Sequence, residues 1–81
     1  MKLVAGQVYD FVAKFPPFCQ HSLIITKVTK YSVYCIWSDG SCGEIFFDDF
    51  HFKSFCSHLK LKKEYKTWKE AIQEFNNEKI H

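Results

Sequence analysis

Up to residue 63 the apolar positions of this chain tend to recur every second residue; from residue 67 they recur every third or fourth. A period of two belongs to half-buried strands, and a period near 3.6 to a helix with one buried stripe. GQVYDF (6–11) opens on a glycine and predicts a short first strand. AKFPPFCQH (13–21) predicts a loop, because Pro16 and Pro17 cannot donate to a sheet ladder. SLIITKVT (22–29) and SVYCIWS (32–38) are rich in β-branched and aromatic residues and predict two strands. Asp39-Gly40 is a hairpin signal, and CGEIFFDD (42–49) is its return strand. DFHFKSF (49–55) loses the alternation and predicts a single turn, which Asp48 or Asp49 can cap. SHLKLKK (57–63) sets Leu59 and Leu61 against Lys60 and Lys62, a half-buried strand with a lysine face.

TWKEAIQEFNNEK (67–79) places Trp68, Ala71, Ile72 and Phe75 on one helical stripe. Thr67-x-x-Glu70 before it matches a capping box, in which the hydroxyl accepts from the Glu70 N–H and the carboxylate reaches back. The expected order is four strands, a turn, a fifth strand and a helix. Five short strands limit their open edges by curling, so the expected fold is mainly β, a five-stranded small barrel over 6–63 with the 67–79 helix packed on it, in a single domain spanning 1–81. The hairpin has two registers. A three-residue Ser38–Gly40 loop with Gly40 left-handed puts Val33, Cys35 and Trp37 on one face with Ile45 and Phe47. Tyr34, Ile36, Cys42, Glu44 and Phe46 then lie on the other face. A two-residue Asp39-Gly40 turn puts Cys35 and Cys42 on one face as diagonal neighbours about 7–8 Å apart, beyond comfortable disulfide reach.

The stretches GQVYDF and LIITKVTKYSVYCIWSDGSCGEIFFDDF, with the turn after them, resemble small SH3-like barrel proteins of phages and mobile elements. The resemblance spans residues 6–55. It implies an SH3-like barrel and no catalytic site. By analogy it also implies a small binding or inhibitory module, phage-encoded, acting on a host protein in anti-defence or host takeover. The Phe-Pro-Pro-Phe loop and the C-terminal helix depart from that pattern.

Composition narrows the function further. With 47% hydrophobic and 19% aromatic residues, a short chain has large rings to bury and no reason to be disordered. The formal charge of +2 does not by itself call for a polyanion. All basic residues are lysine, so bidentate arginine readout of guanine or carboxylate is not available. The apolar start MKLVAGQVYDF breaks at Gly6 and Gln7, short of the roughly 7–15 apolar residues of a secretory signal, and no run approaches the roughly 18 of a membrane span. The chain reads as cytoplasmic and not membrane-bound, with its cysteines as thiols.

Two C-x-H elements, Cys19-x-His21 and Cys56-x-His58, could supply a Cys₂His₂ zinc set, the third functional reading. Neither has the knuckle spacing zinc sites use, and buried thiols acting as small apolar residues are the simpler expectation, with no metal or cofactor. Cys56 and His58 are also the only close nucleophile and base pair, and they carry no catalytic signature, so a non-enzyme is expected. Two surfaces remain. Phe15, Pro16, Pro17 and Phe18, with the outer-face rings Tyr34 and Phe46, are the candidate protein-binding residues: stiff prolines lose little entropy on binding and exposed rings anchor a partner. Lys53, Lys60, Lys62, Lys63, Lys66 and Lys69, interleaved with Tyr65, are the alternative, a face for RNA or single-stranded DNA with phosphates on cations and bases on rings.

Overall fold

A computed structural model describes residues 2–12 and 20–79, residues 20 and 77–79 by backbone alone. Five strands form one antiparallel sheet: β1 (Gln7–Val12), β2 (Gln20–Val28), β3 (Ser32–Trp37), β4 (Cys42–Phe46) and β5 (Leu59–Glu64). Helix α1 (Phe52–Ser57) precedes β5, and helix α2 (Trp68–Lys79) follows it. The strand order is β4-β3-β2-β1-β5. The chain meanders from β1 to β4, and β5 then returns beside β1. The sheet is not closed. Among the described residues β4 and β5 are free edges, so the closure expected from the number of strands is not what the chain adopts.

The alternation seen in the sequence sorts side chains onto two faces. One face gathers Tyr9, Leu23, Ile25, Val33, Cys35 and Leu59 into the main core with Leu3, and Phe52 and Phe55 of α1 pack over it. The two phenylalanines stand three residues apart, so one turn of helix points both at the sheet. Where the sequence predicts a single turn, this pair stabilises six residues of helix. Asp49 Oδ1 accepts from the His51 N–H at 2.7 Å in the turn before the helix. The N-cap of α1 itself, His51, makes no side-chain capping bond, so the cap expected from an aspartate is not at the helix start. The opposite face carries Val8 and Ile24, covered by Trp68, Ala71, Ile72 and Phe75 of α2. That is the stripe read from the sequence. At the start of α2, the Glu70 N–H donates to Thr67 Oγ1 at 3.4 Å, the first half of the expected capping box.

Two bulges adjust the registers. Ile25 pairs with Cys35 and Lys27 with Tyr34, leaving Thr26 as the extra residue in β2. Tyr9 pairs with Leu61 and Val8 with Lys63, leaving Lys62 extra in β5. β5 is accordingly less regular than its sequence suggests. It starts at Leu59, because residues to Ser57 are helical, and Leu61 is 48% exposed while Leu59 is buried.

The first turn of the sheet is locked by Gly6 and Gln7. Gly6 has φ +97, and a Cβ there would run into the Tyr65 carbonyl oxygen. The Gln7 amide is buried and makes three hydrogen bonds: Oε1 accepts from the Val4 N–H at 2.8 Å and from the Tyr9 hydroxyl at 2.9 Å, and Nε2 donates to Glu64 at 3.0 Å. Burial, with Glu64 nearby, holds the Tyr9 phenol above its ordinary range.

Candidate binding surface

The hairpin takes the three-residue loop. The Trp37 N–H donates to the Ser41 carbonyl at 2.8 Å, Gly40 has φ +92, and Cys35 stands opposite Gly43. Tyr34, Ile36, Cys42, Glu44 and Phe46 therefore share the face that α2 covers elsewhere. The helix sits over β1 and β2 and leaves the β3–β4 end of this face bare. Tyr34 is 37% exposed and Phe46 47%.

More rings gather where β4 ends. Tyr31 precedes β3, Phe47 and Phe50 follow β4, and all three are exposed, Phe50 at 91%. Lys30, Tyr31, Phe46, Phe47 and Asp48 line an open cleft of about 400 Å³. Phe47 also joins Lys2, Leu3, Val28 and Phe52 around a second cleft of about 410 Å³. Lys30 Nζ stands over the Tyr31 ring at 5.7 Å and Lys27 Nζ over the Tyr34 ring at 5.9 Å. Glu44, beside Tyr34, holds the phenol above its ordinary range, and its carboxylate accepts from the Ser32 hydroxyl at 2.8 Å. The surface is thus aromatic, fringed by lysines on the β3 side and by carboxylates on the β4 side.

Of the protein-binding residues expected from sequence, Tyr34 and Phe46 lie on this surface. Phe15, Pro16, Pro17 and Phe18 lie outside the described residues. Sequence reasoning does not single out Tyr31, Phe47 and Phe50. Phe47, Phe50, Phe52 and Phe55 look alike in sequence; only the register of α1 turns the last two inward and leaves Phe50 out. The lysine set is not one face. Lys53 belongs to α1, over one side of the sheet, while Lys63 is aligned with Val8 on the side α2 covers. Lys62 is the bulge residue. Lys63 Nζ pairs with Glu74 at 3.2 Å and stands over the half-buried Tyr65 ring, and Lys69 stands over the Trp68 ring. Lys60 is exposed in β5, and Lys66 is exposed in the turn before α2.

Among the described residues the thiols do not converge. Cys35 is buried, and burial holds its thiol above the ordinary range, with Cys42 nearby a smaller cause. Cys42 is exposed on the opposite face. Cys56 is within α1 and His58 at its C-terminal cap, so the two do not stand at alternate positions of one strand. His58 Nδ1 lies 3.0 Å from the Val12 carbonyl, and its ring packs on Phe11. Among the described residues no three His, Cys, Asp or Glu side chains are placed to hold a metal ion, and Cys19 lies outside them. Among them, too, no helix is long and apolar enough to cross a membrane. No known protein family, curated protein or solved structure matches the chain.

Proposed function

We propose that this protein is a non-enzymatic binding module that acts through contacts with another protein. The observation that carries the reading is the group of exposed rings, Tyr31, Tyr34, Phe46, Phe47 and Phe50, at the open end of the sheet. Tyr31, Phe46 and Phe47 line one cleft. Exposed apolar surface marks interaction sites, and aromatic residues dominate binding energy when a partner covers them. The rings stand on two paired strands, β3 and β4, and their flanking turns, so little is lost in ordering them. The meander with β5 returning beside β1 also supports the SH3-like relation proposed from the sequence, with the sheet open between β4 and β5. Inhibition of a host protein by a phage-encoded factor is the finer form of the proposal and is drawn from that resemblance.

The test is affinity capture from the expressing cell with the tagged protein and with a Tyr34→Ala, Phe46→Ala variant. Both side chains are partly solvent-exposed, so the variant keeps its fold. A partner held by the protein and lost, or weakened by about tenfold or more, with the variant is the expected result. A partner retained equally by both would remove this surface from the function. Single-stranded nucleic acid is the second reading. It is disfavoured by the position of Lys53 on α1, across the sheet from Lys60, Lys63 and α2, and by the pairing of Lys63 with Glu74.

A further inference from the structure

The two free edges of the sheet are built differently. β5 carries Lys60, Lys62 and Lys63 and a bulge, devices that discourage another strand from pairing with it. β4 (CGEIF) has no lysine, no proline and no bulge. Its hydrogen-bond phase follows from its two ends. Trp37 pairs with Ser41 and Tyr31 with Phe47 through N–H to carbonyl bonds, so Gly43 and Ile45 turn their backbone groups toward β3. Cys42 and Glu44 turn both N–H and carbonyl outward, and Phe46 turns out its N–H, its carbonyl being taken by Asp49.

Charge selects what can pair there. Between Tyr31 and Phe52 the chain has Asp39, Glu44, Asp48 and Asp49 and no lysine, although the whole chain is net positive. All four acids are exposed, and among the described residues the one ion pair is Lys63 with Glu74. The nearest lysines in sequence on the β3 side, Lys27 and Lys30, stand over tyrosine rings. An antiparallel β4 of a second copy would bring one acidic edge against another, which is destabilising. Shape adds a second preference. Gly43 puts no side chain of its own on the core face of the edge, and Trp37 Nε1 at 3.4 Å and Cys35 Sγ at 3.5 Å already stand within contact distance of where a Cβ would be. Half-buried Ile45 lies on that face, aligned with buried Val33, so the residues an added strand sets on this side are apolar.

We propose that the β4 edge takes up an extended, basic segment of a partner protein as a sixth strand, with cations on the Glu44 face and apolar residues on the Ile45 face. The inference rests on the reading of the neighbouring aromatic surface as protein-binding. It assigns that surface a mode of recognition, in which main-chain hydrogen bonds give affinity and alternate side chains give specificity.

The probe is a blocked heptapeptide alternating lysine and valine, compared with its glutamate–valine counterpart and with an analogue N-methylated on every second amide. Binding is followed by calorimetry and by amide hydrogen exchange of the intact protein. The expected result is protection of the Cys42, Glu44 and Phe46 amides by the lysine peptide, with affinity falling about tenfold or more on N-methylation, on exchange of lysine for glutamate, and in the exposed variant Glu44→Lys. Equal binding of the N-methylated analogue, or protection on β5 in place of β4, overturns the proposal. So does protection of those amides in the protein alone with concentration-dependent assembly, which gives the edge to a second copy through its lysine-bearing β5. If the peptide arms fail while partner capture still depends on Tyr34 and Phe46, the edge is excluded and the aromatic surface stands. If capture ignores those rings, the surface itself falls.

Discussion

Gly6 and Gly40 have nearly the same backbone angle, φ +97 and +92, and quite different surroundings. A Cβ on Gly40 would meet nothing within 4 Å, whereas one on Gly6 would strike the Tyr65 carbonyl. That carbonyl cannot simply retreat. The Tyr65 N–H donates to the Gly6 carbonyl at 3.0 Å and the Gly6 N–H to Ile25 at 2.8 Å, so the contact ties β1, β2 and the end of β5 together. Gly40→Ala is expected to cost about 1–2 kcal/mol from the left-handed backbone alone. Gly6→Ala adds a clash to that strain and is expected to cost more, about 3 kcal/mol or above. The urea midpoints of the two variants check this; equal shifts would mean that the Tyr65 contact does not constrain Gly6. In sequence Gly6 reads only as the glycine that opens a strand, because the atom it must avoid is far along the chain.

Among the elements, α2 is held by its apolar stripe and by a polar strut to β5. Glu74 meets Lys63 at 3.2 Å, and the Tyr65 hydroxyl and the Lys63 ammonium beside it hold the Glu74 carboxyl below its ordinary value of 4.5. A carboxylate with a depressed folded-state pKa stabilises the fold fully above its ordinary value, and that stabilisation is lost as pH falls through the lower folded value. Glu74→Gln is therefore expected to lower the melting temperature slightly at pH 6, with the difference from the parent protein closing as pH falls below 4.5. Melting curves across that range check it; a difference that persists unchanged at lower pH would exclude the strut. The stripe itself is fully legible in the sequence, since Trp68, Ala71, Ile72 and Phe75 must share a face in any α-helix. The lysine partner is not legible, because Lys63 reaches Glu74 only after the bulge at Lys62 resets its direction.

For the whole molecule the deciding property is that the sheet stays open. A closed barrel would bond both sides of β4 and β5, whereas an open one leaves every second amide of β4 to solvent. Hydrogen exchange of the unliganded protein is expected to show slow Gly43 and Ile45 amides alternating with fast Cys42 and Glu44 amides, against uniformly slow exchange in central β2. Uniform protection along β4 would show that the edge is covered. The same openness separates the aromatic surface from the core. α1 and α2 each cover part of one face, and the β3–β4 end receives neither on the side of Tyr34 and Phe46.

Local rules were enough for the existence of five strands and of α2, the three-residue hairpin loop as one of two registers, the α2 stripe, and Tyr34 and Phe46 as an outward pair. These are consequences of a period of two, a period of 3.6 and a left-handed glycine, all readable along the chain. They were not enough for α1, expected as a single turn, or for the start of β2 at Gln20, expected in the loop. The rest required the folded molecule. Which phenylalanines point inward, where the bulges fall, how the lysines divide between the two sides of the sheet, and which edge is left unguarded all depend on contacts between residues distant in the chain. Alternation says that a strand has two faces, but only packing decides which of them is covered.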